Sequence, residues 1–292
     1  MRVTHNSIAA HVVANLQGNI NRLGETQQRL SSGKLISKPS DSPAGTVSAM
    51  ELRSELGANR QYARNADDGL GWLSAADSAL RDSSDQVIRA RGLVLQGLST
   101  GTVGPESRAA LAKEIRQISE GIRDAANTSY LGRPVFAGTT KEPLAYPSGT
   151  SFNGNGEDVL RTVGVNTKVP VNVDGRTVFG EGPDSIFGIL SDIATKLEGD
   201  PTGLDADLVR LDASAIGIRN GLSTVGARTN QLERMRQAAD DASMNVTKML
   251  SDVEDIDLPQ TMTELQLQQT AYQAALASGA RVVQPSLLDF LR

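Results

Sequence analysis

Apolar residues recur at both ends of the chain in steps of three and four, the spacing that places them on one face of an α-helix. This heptad pattern is typical of helices that pack together as coiled coils. It predicts a long helix at each terminus, packed against its opposite end and against neighbouring copies of the chain. The candidate assembly contacts are Val13, Leu16, Ile20, Leu23 and Leu30 near the start and Met262, Leu265, Tyr272, Leu276 and Val283 near the end.

Two positions of these terminal stripes hold glutamine instead of an apolar residue, Gln27 and Gln269. A buried polar side chain at such a position can fix the register of two helices by hydrogen bonding across the seam between them. A partly hydrated seam is the alternative, and the sequence leaves both interpretations open.

The middle of the chain is also predicted to be mostly helical. Pro43 suits the first turn of a helix that continues to about residue 100, and Pro105 suits the start of the next, which we expect to pair antiparallel with it. One heptad then extends from Leu204 to Val253, far longer than an ordinary globular helix. Pro259 interrupts it before the terminal stripe begins.

Residues 139–182 are rich in Gly, Pro, Asn and Thr. Short β-like runs occur within them at 160–165 and 168–173, and just before them at 135–137. Asp174-Gly175 is a typical hairpin turn, and Asp184 is positioned to cap the helix that follows. The predicted fold is therefore mainly α, an elongated antiparallel helical bundle or coiled coil with both termini paired and a small β-rich insert.

Three domains follow from this order of segments. Residues 1–42 and 258–292 form a terminal coiled-coil domain, residues 43–138 and 183–257 form a helical rod, and residues 139–182 form a surface insert. The two halves of the chain are predicted to fold over into a hairpin, because the terminal domain and the rod each need helices from both halves.

Composition excludes several classes of protein. The net charge is -5 with acids and bases interspersed, so no basic tract is present to follow a nucleic acid backbone. No stretch approaches the roughly 20 apolar residues of a membrane span, and the N-terminus lacks the apolar region of a secretory signal. The absence of cysteine excludes disulfides and thiolate metal sites.

Catalytic and metal-binding chemistry has little support. His5 and His11 have no acidic residue close in sequence to complete a metal site, and residues 153–158 lack the ligand spacing of a calcium loop. Four carboxylates of the insert region stand without a histidine or cysteine nearby: Asp158, Asp174, Glu181 and Asp184. We therefore predict that the chain is not an enzyme and takes no cofactor or metal.

Two adjoining motifs, Leu30–Lys34 (LSSGK) and Lys38–Gly45 (KPSDSPAG), resemble the N-terminal signature of the bacterial flagellin superfamily. That superfamily includes the filament subunit and the subunit at the junction of hook and filament. Further segments are more similar to the junction branch. They are LRSEL at 52–56, WLS at 72–74, GRPVFAGT at 132–139 and the ending at 284–292.

The resemblance implies a structural subunit of the extracellular flagellum. Its terminal helices would line an export channel, and copies would assemble helically, contacting hook-associated protein 1 on one side and flagellin on the other. It also implies unfolded export through the flagellar type III apparatus with a dedicated chaperone. A short filament flagellin is the alternative, and a coiled-coil adhesin is a more distant one. Arg89, Leu93 and Glu114 match an innate-receptor epitope of some flagellins, although Gly92 departs from it.

Overall fold

The computed structural model describes residues 2–99 and 104–283, without the side chains of residues 2–6, 8, 9 and 281–283. Within these ranges the chain forms seven α-helices, one 3-10 turn and four short strands. The predicted mainly α fold with a small β-rich part is confirmed. The helices are α1 Arg2–Ser32, α2 Pro43–Leu98, α3 Pro105–Ala126, α4 Gly175–Phe179, α5 Ile186–Glu198, α6 Leu204–Glu254 and α7 Leu258–Val283; the strands are β1 Ser129–Tyr130, β2 Arg133–Pro134, β3 Leu160–Gly164 and β4 Thr167–Pro170.

The chain divides into two compact units. The terminal unit comprises residues up to Gly57 and from Ser243 onward, and the central unit comprises Ala58–Ala242. Both long helices, α2 and α6, contribute residues to each unit. The three-domain division drawn from the sequence stays a prediction.

Long helices of the central unit run antiparallel, and ion pairs mark their register. Asp67 pairs with Arg236 at one level of α2 and α6, and Arg91 pairs with Asp212 further along, so numbers rise on one helix as they fall on the other. Between α2 and α3, Arg89 pairs with Glu114, while a Cβ added at Gly97 would meet Leu111. The antiparallel pairing predicted for these two helices is confirmed.

An aromatic cluster forms the centre of the unit beside α5. Phe179 packs against Phe136 with ring centroids 5.3 Å apart, and Tyr146 packs against Phe187 at 4.9 Å. The Tyr146 hydroxyl donates a hydrogen bond to the Gly180 carbonyl oxygen at 2.8 Å, and burial raises the pKa of that phenol well above its usual range. Residues of the insert, Tyr146 and Phe179 among them, thus supply part of the core.

The two hairpins agree in part with the β-like runs predicted from the sequence. Strand β1 turns into β2 through Leu131-Gly132, both with positive φ, as a two-residue hairpin turn allows, and the run at 135–137 forms no strand. Strands β3 and β4 lie where the runs at 160–165 and 168–173 were predicted, and they join through Val165 and Asn166, where Asn166 takes the left-handed conformation.

The prediction of a hairpin turn at Asp174-Gly175 is wrong. The Asp174 side chain instead accepts a hydrogen bond from the Arg176 N–H and caps α4. The predicted cap at Asp184 is displaced by one residue for a similar reason. Ser185 accepts from the Gly188 N–H and begins α5, while Asp184 belongs to the 3-10 turn Gly182–Asp184.

Truncating the aromatic cluster should destabilise the central unit selectively. We expect Phe179→Ala to lower its free energy of unfolding by about 3–5 kcal/mol, because a fully buried ring leaves a cavity. Phe152→Ala is the matched control and should cost less, since Phe152 is only half-buried. Trp72 is the only tryptophan and is buried in this unit, so its fluorescence during urea unfolding reports the difference. Equal urea midpoints for the two variants would contradict the assignment.

Candidate assembly interface

In the terminal unit, α1 packs against α7 in antiparallel fashion along a seam whose members recur in steps of four and three. A Cβ added at Gly279 would lie 2.9 Å from Cγ1 of Val12, so the small residue allows the helices to approach closely there. The seam positions, all buried or half-buried, are Val12, Leu16, Asn19, Leu23, Thr26 and Leu30 on α1 and Thr261, Leu265, Gln268, Tyr272, Ala275 and Gly279 on α7.

This seam contains only part of the stripe predicted from the sequence. The half-buried members of the predicted set are Leu16, Leu23, Leu30, Leu265 and Tyr272. Its other four described members are exposed: Val13, Ile20, Met262 and Leu276, with 43% to 59% of their surface accessible. We call these four the outer row. The side chain of Val283 lies outside the described residues.

The outer row follows one side of the helix pair. Each of its members comes one position after a seam residue, as Val13 comes after Val12 and Leu276 after Ala275. In two antiparallel helices, a step of one residue from the seam turns toward the same side on both. The terminal unit therefore presents a line of large aliphatic side chains beside a seam that does not cover them.

Polar residues occupy the seam at positions other than the predicted ones. Gln27 and Gln269 are both exposed, so the hypothesis that they fix the register from within the seam is wrong. Thr26 and Gln268, one position earlier, are in the seam instead. Thr26 satisfies its hydroxyl by donating to the Arg22 carbonyl oxygen at 3.0 Å, whereas Oε1 of Gln268 is buried without a hydrogen-bond partner among the described residues. An unpaired buried acceptor weakens the pair.

A backbone bridge closes the unit where α1 ends and α7 begins. The Leu35 N–H donates to the Glu254 carbonyl oxygen at 2.6 Å, and the Ile256 N–H donates to the Gly33 carbonyl oxygen at 3.1 Å. Gly33 has a φ of +70°, a conformation that glycine adopts without strain and that ends α1. These two bonds join segments from opposite ends of the chain.

Charged side chains surround the same bridge. Lys34 Nζ lies 2.6 Å from Oδ1 of Asp255 and 3.3 Å from Oε2 of Glu254. Arg53 contacts Oε1 of Glu254 at 2.8 Å, so a carboxylate whose side chain is only 4% exposed has two cationic partners. The hydrogen bond from Lys34 lowers the pKa of Asp255, and the same bond raises the pKa of Lys34. We call these four residues the clasp.

The KPSDSPAG motif builds the loop between α1 and α2. Asp41 accepts hydrogen bonds from the N–H groups of Lys38 and Ser37, and these bonds lower its pKa. Ser42 accepts from the Gly45 N–H at 3.1 Å and so caps the start of α2. A Cβ at Gly45 would lie 2.5 Å from Cδ1 of Ile36, which explains why glycine fits there. The motif therefore has a structural purpose within the terminal unit.

Several other sequence candidates have local structural partners, and the side chain of His5 lies outside the described residues. Arg89 and Glu114 are bound to each other at 2.6 Å, with Leu93 half-buried near them. Asp184 pairs with Arg210, and Asp174 caps α4. No group of three or more His, Cys, Asp or Glu side chains within the described ranges is placed to hold a metal ion. No helix in those ranges is long and apolar enough to cross a membrane.

Comparison with known proteins matches most of the chain. The profile of the bacterial flagellin N-terminal helical region matches residues 3–141, and that of the C-terminal helical region matches residues 209–291. Flagellin of Bacillus subtilis is 24% identical over the full length of both chains. Flagellar hook-associated protein 3 of Escherichia coli is 26% identical over 90% of each.

A crystal structure of Bacillus cereus FlgL superposes with a TM-score of 0.61 at 20% identity, covering 69% of this chain and 99% of that one. A structure of hook-associated protein 3 from Legionella pneumophila gives 0.62 at 15% identity, covering 70% and 98%. At this level of identity the two structures establish a shared fold.

The clasp should make the terminal unit sensitive to pH at both extremes. Asp255 has a lowered pKa when folded, so its contribution to stability is present above about pH 4 and is lost as pH falls through the folded pKa. Lys34 has a raised pKa, so its contribution is present below about pH 10.4 and is lost as pH rises through the folded pKa. Lys34→Met should remove the alkaline dependence and reduce the acidic one, because Ser251 still donates a hydrogen bond to Asp255.

The measurement is protection of the Leu35 and Ile256 amides from hydrogen exchange, with variant and parent compared at each pH. Lys38→Met is the matched control, because Lys38 lies in the same loop and contributes to it mainly through its backbone N–H. The loss of protection at both extremes should be shallower in Lys34→Met than in the control. Parallel pH curves for the two variants would refute a role for the clasp.

Proposed function

This chain belongs to the bacterial flagellin family, and from that premise we propose that it is a structural subunit joining the flagellar hook to the filament. Copies assemble helically around the export channel, between hook-associated protein 1 and flagellin. The subunit catalyses no reaction. It leaves the cell through the flagellar type III export apparatus, escorted by a chaperone, and acts outside the cell.

The observation that carries this proposal is the outer row. Val13, Ile20, Met262 and Leu276 are large aliphatic residues that the α1–α7 pair leaves exposed along one side. Covering such a side chain contributes about 1.5–3 kcal/mol when burial is complete. A neighbouring copy that packs on this side would bury all four together, which favours assembly over the isolated subunit.

The composition of the seam supports the same conclusion. Asn19, Thr26 and Gln268 occupy seam positions that a stable coiled coil fills with Leu, Ile or Val. The isolated pair therefore gains little apolar burial, against about 1–2 kcal/mol per residue for ordering its backbone. A weakly stable pair suits a chain that must unfold for export and become ordered again when neighbours supply the missing contacts.

Two relatives of different function, a flagellin and a hook-associated protein 3, match this chain over nearly its whole length. We favour the junction role because the solved structures of FlgL and hook-associated protein 3 superpose on this chain over almost their whole length. A short flagellin that forms the filament itself is the alternative. The two functions differ in what the cell lacks when the subunit is removed.

Charging the outer row should block assembly without unfolding the terminal helices. We expect Val13→Asp with Leu276→Asp to leave a soluble chain of parental helicity that no longer polymerises, because both positions are exposed in the isolated unit. Asn15→Asp with Ala274→Asp is the matched control, with the same two acids at exposed positions that come one residue before a seam residue and so lie on the opposite side of the helix pair. Circular dichroism and sedimentation measure the two properties. Normal polymers from the first variant would refute the proposed interface.

Deleting the gene separates the two functions. A junction subunit predicts hooks without filaments and flagellin lost as monomer to the medium. Electron microscopy of the cells, with an assay of the medium for flagellin, provides both measurements. Hooks without filaments and no secreted flagellin would instead identify this chain as the flagellin. Normal filaments would contradict both functions.

A further inference from the structure

The central unit carries a second exposed apolar surface, which nothing in the proposed function uses. Ile88 and Leu95 are exposed on α2, and Val209 and Ile216 are exposed on α6, with 43% to 69% of their surface accessible. On each helix the two residues are seven positions apart, which puts them on one face. We call these four residues the aliphatic patch.

The ion pair between Arg91 and Asp212 shows that the two halves of the patch lie side by side. Arg91 Nε is 2.8 Å from Oδ1 of Asp212. Arg91 lies three positions after Ile88 and four before Leu95, so it shares their face, and Asp212 stands in the same relation to Val209 and Ile216. Because α2 and α6 run antiparallel, Ile88 lies at the level of Ile216 and Leu95 at the level of Val209.

The patch therefore has an apolar end, a charged centre and a second apolar end. The charges lie on opposite helices, with the cation on α2 and the anion on α6. Both side chains are nearly half exposed, and the two terminal nitrogens of Arg91 make no hydrogen bond within the described ranges. The ion pair can therefore accept further partners from outside the molecule.

From this arrangement we infer that the patch binds a second copy of the same chain. Turning the copy by half a turn about an axis parallel to the helices places its Asp212 over Arg91 and its Arg91 over Asp212. The same rotation places Ile88 over Ile216 and Leu95 over Val209, as a two-fold interface requires. A half-turn about the perpendicular in-plane axis would oppose like charges, so charge complementarity selects the parallel arrangement.

The resulting dimer holds both copies with their helices pointing the same way. Four aliphatic side chains per copy make a small contact, so the dimer is weak and the fraction of chains in dimers rises with concentration. It does not depend on the proposed junction role, since it uses residues of the central unit alone. We expect it in the full chain carrying Val13→Asp and Leu276→Asp, in which polymerisation through the outer row cannot mask it.

Charge reversal provides the test. Arg91→Asp gives a patch with two acids at its centre, and Asp212→Arg gives one with two bases. Each variant alone should stay monomeric in sedimentation over about 1 to 100 μM, where the parent reaches about twice its 30.9 kDa mass. Mixing the two variants should restore dimers, because every acid then faces a base across the interface.

The mixture separates this inference from a purely structural role of the ion pair. Both variants lose the internal Arg91–Asp212 contact, and mixing cannot repair that contact within either chain. A monomeric parent, or a mixture that stays monomeric, would overturn the inference. Val209→Asp, within the patch, should abolish dimers, whereas Val165→Asp, an equally drastic change at an exposed residue outside the patch, should leave them intact. Loss of dimers in Val165→Asp would also overturn the inference.

Cross-linking tests the orientation, and the chain has no cysteine of its own to interfere. An Ile88→Cys chain mixed with an Ile216→Cys chain should form a disulfide-linked dimer under mild oxidation, because these positions face each other. Leu95→Cys mixed with Ile216→Cys is the control, since these lie at opposite ends of the patch. Equal yields from the two mixtures would exclude the parallel arrangement.

Discussion

Packing of α1 against α7 is the constraint on which the terminal unit depends, because these helices come from opposite ends of the chain. Bringing such distant segments together costs loop-closure entropy, which grows slowly with the length between them. The clasp meets this cost at one point. There, two backbone hydrogen bonds and the Lys34 and Arg53 contacts to Glu254 hold the end of α1 beside the start of α7. From that point the helices can pair in one register.

The seam that this register produces is weak because several of its positions hold polar residues. It buries Thr26 and Gln268 while Ile20 and Met262 remain exposed one position away from seam residues. A rotation of the helices that buried these aliphatic residues would expose others, because a helix pair has room for only one narrow seam. Two adjacent rows compete for that seam, so an isolated pair always leaves apolar surface uncovered. Only a further helix can cover the second row, which is why the α1–α7 pair favours assembly with neighbouring copies.

Periodicity predicted most of the helices, because heptads record which face of a helix is apolar. The antiparallel pairing of α2 with α3 was predictable because the two helices follow each other closely along the chain. It could not separate Val12 from Val13 or Gln268 from Gln269, since neighbouring residues fit the same broad stripe. The choice depends on the partner helix. The clasp was missed for a different reason, as nothing local in the sequence links Lys34 to Glu254. At Asp174, two signals competed, and the capping bond to Arg176 N–H prevailed over the hairpin turn.

Ion pairs between the long helices α2 and α6 affect the register of the two helices more than the free energy of unfolding. Pairs such as Arg91 with Asp212 and Asp67 with Arg236 are about half exposed, and exposed pairs typically add no more than about 1 kcal/mol. Their effect is to penalise a slipped register, because a slip of seven residues would place Asp67 opposite Thr229 or Ser243 and break its ion pair. Since α2 and α6 have long heptads that would tolerate a slip of seven residues, this loss of an ion pair favours the observed alignment. The same alignment brings Ile88 level with Ile216 and Leu95 level with Val209. The self-complementary arrangement of the aliphatic patch therefore follows from the register of α2 and α6.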